Sequence, residues 1–105
     1  MNRMKQRIQV GPNRWIGEDE EPYVIAEIGI NHNGSIDLCK KMIAQAAHVG
    51  VDAVKMQKRT IEEMYTKDAL DVPYDKPYAF GKTYGEHKHA LEFSEEQYVE
   101  LQKYA

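Results

Sequence analysis

Residues 24–34 read VIAEIGINHNG. The run from Val24 to Ile30 is apolar but for Glu27, and it then gives way to a polar loop, Asn31-His32-Asn33-Gly34. Tyr23 to Ile30 is read as a strand, and its near-continuous apolar character is the mark of one covered on both faces, as in parallel sheets. A carboxylate at the centre of such a strand costs several kcal/mol, as an order of magnitude, unless it is paired. Glu27 therefore asks for a cationic partner, a chemical task, or both.

The next residues supply the strand's neighbours. Ser35 is a good helix N-cap, and Ile36, Cys39, Met42, Ile43 and Ala46 recur at helical spacing, with Gly50 as the C′ residue. DAVKMQ (52–57) then reads as a second short strand. Strand, helix and strand in so short a stretch make a βαβ unit, which implies parallel strands and a right-handed crossover.

Side chains alternate across a strand, so Ile25, Glu27 and Gly29 share one face and Val24, Ala26 and Ile28 the other. Ala53, Lys55 and Gln57 separate likewise from Val54 and Met56. One set in each strand is uniformly apolar and suits helix packing. The other turns polar toward the C-terminal end, as a barrel interior requires. Adjacent strands would bring Glu27 and Lys55 together on that face, with Gln57 beyond them. A structural ion pair is the simplest account of the two charges. The polar residues gathering at the strand C-termini favour a binding site instead.

The remainder of the chain is less regular. Residues 6–16, QRIQVGPNRWI, read as a hairpin turning at Gly11-Pro12-Asn13. Arg59 to Ala69 is read as a short helix or an irregular excursion. The stretch 71–89, DVPYDKPYAFGKTYGEHKH, reads as a long loop whose tyrosines and phenylalanine pack on something. Ser94-Glu95-Glu96-Gln97 matches a capping box opening a helix with Tyr98, Leu101 and Tyr104 at three-residue spacing. Two strands and two helices do not cover their own sheet, so residues 1–105 are expected to be the opening part of a larger α/β domain.

Composition limits the function classes. The 105 residues carry 42% hydrophobic and 30% charged side chains, an ordinary globular balance. A net charge of −3 gives no basic footprint for nucleic acid or an anionic membrane. The lone Cys39 allows no internal disulfide, and no apolar run approaches spanning length. The first ten residues lack the apolar stretch of a secretory signal, so a cytoplasmic location is expected.

YVIAEIGINHNGSIDLCKKMIAQAAHVGVDAVKMQ (23–57) resembles the N-terminal barrel of the sialic acid synthases and their legionaminate, pseudaminate and spore-coat relatives. LEFSEEQYVELQKYA (91–105) is similar to the second helix of that family, and the leading hairpin suits its barrel plug. The resemblance implies the N-terminal fragment of a (β/α)₈ TIM barrel preceded by a short β-hairpin. It implies condensation of phosphoenolpyruvate with an N-acetylated hexosamine, such as N-acetylmannosamine, to a nine-carbon 2-keto acid with release of phosphate. A divalent metal, manganese or magnesium, would activate the sugar aldehyde, its ligands coming from later strands and none from this chain. On the same basis Glu27 matches the carboxylate that handles protons, Lys55 the lysine holding the phosphoenolpyruvate anion, and Gln57 a sugar contact. A homodimer of the complete enzyme is compatible with this reading. The competing readings are a non-catalytic truncated fragment with a binding role, and a barrel of the 3-deoxy-heptulosonate synthase type.

Other polar residues fit two roles each. His32 either touches substrate or makes a local hydrogen bond. Asn31 and Asn33 either cap the helix after Ser35 or orient sugar hydroxyls, and capping is the more economical role. Asn31 and His32 join Lys55 and Gln57 as candidate substrate-binding residues. His87 and His89 are read as solvated loop histidines that an extended backbone would place on one side. Cys39, on the apolar stripe of its helix, is read as packing.

Overall fold

The computed structural model describes residues 3–105. Two strands open the chain, β1 (Arg7–Gly11) and β2 (Arg14–Gly17), paired antiparallel. Pro12 and Asn13 connect them. Proline presets the first turn position and Asn13 takes the left-handed conformation (φ 57°) required at the next.

The centre of the structure is the unit β3 (Ile25–Gly29), α1 (Ile36–His48) and β4 (Ala53–Met56). β3 and β4 lie side by side and parallel, with Ile25 opposite Ala53, Ala26 opposite Val54 and Glu27 opposite Lys55. The sequence expectation of adjacent parallel strands joined by this helix therefore holds. Observed β3 is shorter than the expected Tyr23–Ile30, because the chain is already turning at Ile30. The register slips after Glu27, so that Gly29 rather than Ile28 faces Met56. Gly29 accommodates the slip with φ 58°.

α1 starts and stops where its residues direct. The Ser35 hydroxyl accepts from the Leu38 N–H at 3.1 Å, and Gly50 follows the helix at φ 87°. Its stripe of Cys39, Ile43 and Ala46 is buried. Cys39 and Ile43 form one core with Ile28, Phe93 and Leu101, and Val54, Met56 and Tyr98 pack against it. Of the helix-facing sets read from strand alternation, Ile28 is buried and Val54 and Met56 pack partly buried against the core, while Val24, just before β3, is exposed. Cys39 is fully enclosed with its sulfur 3.4 Å from that of Met56, and burial pushes its thiol pKa up, as suits a packing residue.

Beyond β4 come α2 (Ile61–Met64), α3 (Lys67–Leu70), α4 (Tyr84–Ala90) and α5 (Glu95–Tyr104). Arg59–Ala69 thus contains one short helix and most of a second. α4 corrects the reading of 71–89 as loop throughout. Thr83 accepts from the Glu86 N–H at 3.1 Å while the Glu86 carboxylate accepts from the Thr83 N–H at 3.3 Å. This is the same capping box that opens α5 at Ser94 and Gln97. The proline, glycine and tyrosine content of the stretch masked it.

The helical backbone also corrects the picture of His87 and His89. Two residues apart on a helix, they face different ways. His87 is buried, its Nδ1 accepting from the Phe80 N–H at 3.1 Å, with Tyr74 and Phe80 against its ring. His89 turns outward and pairs with Glu62 at 2.7 Å. Tyr65, Tyr74, Tyr78 and Tyr84 stack edge-on around this centre, so the aromatic residues of the region pack chiefly on one another.

One tertiary tie had no local signal. Arg14 of β2 grips both oxygens of Asp52 at 3.1 Å, and donates to the Pro22 carbonyl at 2.9 Å. Asp52 also accepts from the Val24 N–H at 2.8 Å, and these contacts hold its carboxyl below the usual range. The clamp joins the hairpin to the N-terminal ends of β3 and β4.

Candidate active site

β3 and β4 carry Glu27 and Lys55 to directly opposed positions near their C-terminal ends. The ammonium lies 3.2 Å from the carboxylate. The expected pairing is present, while the expected burial is not. Glu27 is 46% and Lys55 63% exposed. The helices cover only the opposite face of the two strands, and nothing among the described residues covers this one. The carboxylate therefore keeps much of its hydration, and the pair binds weakly enough for either group to engage a ligand.

The turn after β3 shapes one side of this face. Asn31 donates from its side-chain amide to the Ile28 carbonyl at 2.9 Å, and its own N–H reaches the same oxygen at 3.1 Å. A side chain at Gly29 would put its Cβ 3.4 Å from Glu27 Oε1 and 3.9 Å from Asn31 Nδ2. Carboxylate and amide therefore converge over the space that Gly29 leaves open. Asn31 does not cap α1, which Ser35 does. Gly34, at the end of the turn, packs against α4. A Cβ there would fall 2.2 Å from the Ala90 carbonyl, and its φ of 76° also favours glycine.

His32 lies in the core. Its ring is fully buried and stacked on Phe93, centroids 4.0 Å apart, and its Nδ1 accepts from the Gly34 N–H at 3.0 Å. The local hydrogen bond, one of its two sequence readings, is what this geometry supports. With Nδ1 accepting, a neutral ring carries its proton on Nε2, and that atom is buried with no partner among the described residues. Burial lowers the His32 pKa, with nearby Glu92 opposing in part.

Gln57 departs from the expected trio. Its side-chain oxygen accepts from Arg59, and its backbone carbonyl accepts from the Tyr98 hydroxyl at 3.1 Å. The structure thus brings Glu27, Lys55 and Asn31 to one face and ties Gln57 to the Arg59 side. Arg59 was not singled out by sequence reasoning, because nothing in residue type or spacing pairs it with Gln57. Its backbone N–H donates to Glu92 at 3.1 Å, which also lies 3.9 Å from Lys58. Among the described residues, no three His, Cys, Asp or Glu side chains form a group that could hold a metal ion.

Known proteins match this chain in sequence and in fold. The sequence profile of the NeuB family matches residues 42–105. N-acetylneuraminate-9-phosphate synthase of Homo sapiens is 46% identical over 102 residues, covering 97% of this chain and 28% of that protein. N,N'-diacetyllegionaminic acid synthase of Legionella pneumophila is 35% identical over 103 residues, covering 91% of this chain and 29% of that protein. The crystal structure of N-acetylneuraminic acid (sialic acid) synthetase from Leptospira borgpetersenii, in complex with citrate, superposes with a TM-score of 0.74 at 27% identity. That match covers 99% of this chain and 32% of the other. The chain thus spans less than a third of the length of these relatives. Profile, relatives and fold coincide over one stretch, and the chain belongs to the NeuB family.

Proposed function

We propose that these residues form the N-terminal part of a (β/α)₈ barrel that makes nonulosonic acids. The complete enzyme would join phosphoenolpyruvate to an N-acetylated hexosamine and release phosphate. The observation that carries the reading is the Glu27–Lys55 pair, in register at 3.2 Å on the helix-free face of a parallel strand pair.

Each residue has a role its chemistry suits. Lys55 offers a fixed cation to the phosphoenolpyruvate anion, and its exposed ammonium is free to exchange a carboxylate for a ligand. Glu27 accepts or returns a proton at the reacting carbons. Asn31, beside it over Gly29, offers a neutral donor and acceptor for a hydroxyl or carbonyl of the substrate. Gln57, oriented by Arg59, contacts the sugar. A divalent ion activating the aldehyde would be held by other parts of the complete enzyme, which we take to be a homodimer in the cytoplasm. No helix among the described residues is long and apolar enough to cross a membrane.

The acceptor follows from carbon counting. Three carbons of phosphoenolpyruvate added at C1 of a hexosamine turn its C6 into C9 of the product. A relative named for a 9-phosphate product would therefore take a 6-phosphorylated hexosamine. The test is phosphate release by the complete protein, with N-acetylmannosamine and its 6-phosphate offered in turn. Release that requires phosphoenolpyruvate and one of these acceptors supports the reading. Release from phosphoenolpyruvate alone, or none with either acceptor, overturns it.

A further inference from the structure

We propose that His32 is a positioning residue: its buried imidazole, unprotonated at Nδ1, clamps the turn after β3 so that Asn31 stays beside the Glu27 carboxylate. The inference rests on the reading of Glu27 as the group that moves protons in the site.

Three consecutive residues of the turn alternate in their environment. Asn31 and Asn33 are exposed, and His32 between them is wholly buried. The ring is held on its face by Phe93 and at Nδ1 by the Gly34 N–H, while the His32 carbonyl accepts from the Ser35 N–H at 3.0 Å. Gly34 is itself seated against the Ala90 carbonyl. His32 therefore ties the turn to the connection between α4 and α5. Asn31, adjoining that anchor, donates from its backbone N–H and its side-chain amide to the Ile28 carbonyl.

Burial alone does not call for histidine. Phenylalanine would stack on Phe93 without leaving a polar atom unpartnered, as Nε2 is left among the described residues. Asparagine would supply an acceptor for the N–H two residues on, as in an Asx-turn, but no ring. Histidine supplies both. Glu92 is the charged group that acts on the ring, and its carboxylate is already engaged by the Arg59 N–H and Lys58.

The experiment uses the complete protein with phosphoenolpyruvate and the accepted amino sugar. His32→Phe keeps the stack and removes the acceptor. It is expected to lower kcat about tenfold or more, since small misplacements of reacting groups are costly, with KM for phosphoenolpyruvate little changed. His32→Asn restores the acceptor and is expected to recover much of that loss despite a lower melting temperature. A His32→Phe enzyme with wild-type kcat, or a His32→Asn enzyme less active than it, overturns the proposal. Nitrogen NMR of the ¹⁵N-histidine-labelled wild type gives a readout independent of turnover and of the variants' folding. His32 should stay neutral and protonated at Nε2 through neutral pH. A ring protonated at Nδ1 there would sink the clamp. Wild-type protein without turnover overturns the proposed function and leaves the clamp to be judged by this spectrum.

Discussion

At the scale of single residues, Glu27 and Lys55 separate a structural from a chemical role. Both are about half exposed or more in this chain, where an ion pair contributes less than about 1 kcal/mol to stability. Replacing either should cost this chain little stability, and melting temperatures of the same variants of the complete protein distinguish a loss of folding from a loss of chemistry. Glu27→Gln keeps the shape and removes the proton acceptor. It should lower kcat by about a hundredfold, typical of losing a general base, with both KM values close to wild type. Lys55→Ala removes a charge contact to the anion and should raise KM for phosphoenolpyruvate by about tenfold or more, with a smaller effect on the amino sugar. Steady-state kinetics with each substrate varied separately distinguish the two. Near-normal turnover by Glu27→Gln would reduce Glu27 to the structural partner of Lys55.

Among the elements, α4 depends on its cap. Its seven residues are too few to hold a helix by propensity, so the reciprocal Thr83–Glu86 bonds and the packing of His87 must do so. Thr83→Ala should cost about 1 kcal/mol, read as a lowered urea midpoint, and should also increase exposure of the Tyr74–Tyr84–His87 cluster. The same element gives a pH dependence. Burial lowers the pKa of His87, with Lys88 adding to the effect, and burial lowers that of His32. The folded state thus holds both rings neutral while the unfolded chain protonates them below about pH 6.5. Stability should be level above that value and decline as pH falls from it toward the lowered folded-state pKa values. Asp52 and Glu18 have lowered carboxyl pKa values, so their contribution is present above the carboxylate range and lost only in stronger acid. Urea midpoints between about pH 7.5 and 5.5 isolate the histidine contribution. His87→Asn should flatten part of the decline; an unchanged slope would show that His87 does not titrate with unfolding.

Across the molecule, the chain is extended, with principal dimensions of 64 × 30 × 25 Å and a radius of gyration of 18.5 Å. A compact chain of this size would have a radius near 13 Å. The hairpin reaches away from the βαβ unit, and the hydrophobic core cluster among the described residues lies between α1, α5 and one face of β3 and β4. The other face, carrying the candidate site, is open. The isolated 105-residue chain should therefore bind phosphoenolpyruvate weakly and release no phosphate in the presence of both substrates. Its two-strand sheet also presents unpaired edges, so association at high concentration is expected. Light scattering and a phosphate assay on the purified chain check both outcomes, and substrate-dependent release would show that the site is complete without further barrel strands.

How much of this was legible depended on the range of the forces involved. Strand–helix–strand order, the Ser35 cap, the Gly50 stop and the buried stripe of α1 follow from spacing and local sterics, which sequence carries in full. The Glu27–Lys55 pair was equally legible, because period-two alternation and parallel pairing leave one arrangement. The TYGE capping box was present in the residues but obscured by the surrounding prolines and tyrosines. Tertiary structure alone decided the Arg14–Asp52 clamp, 38 residues apart in sequence, since no local preference encodes a contact across that distance. It also decided that His32 turns inward onto Phe93 while Asn31 turns outward to Glu27. Both are polar loop residues in sequence, and only the packing of α4 and α5 beneath the turn makes one a buried anchor and leaves the other at the site.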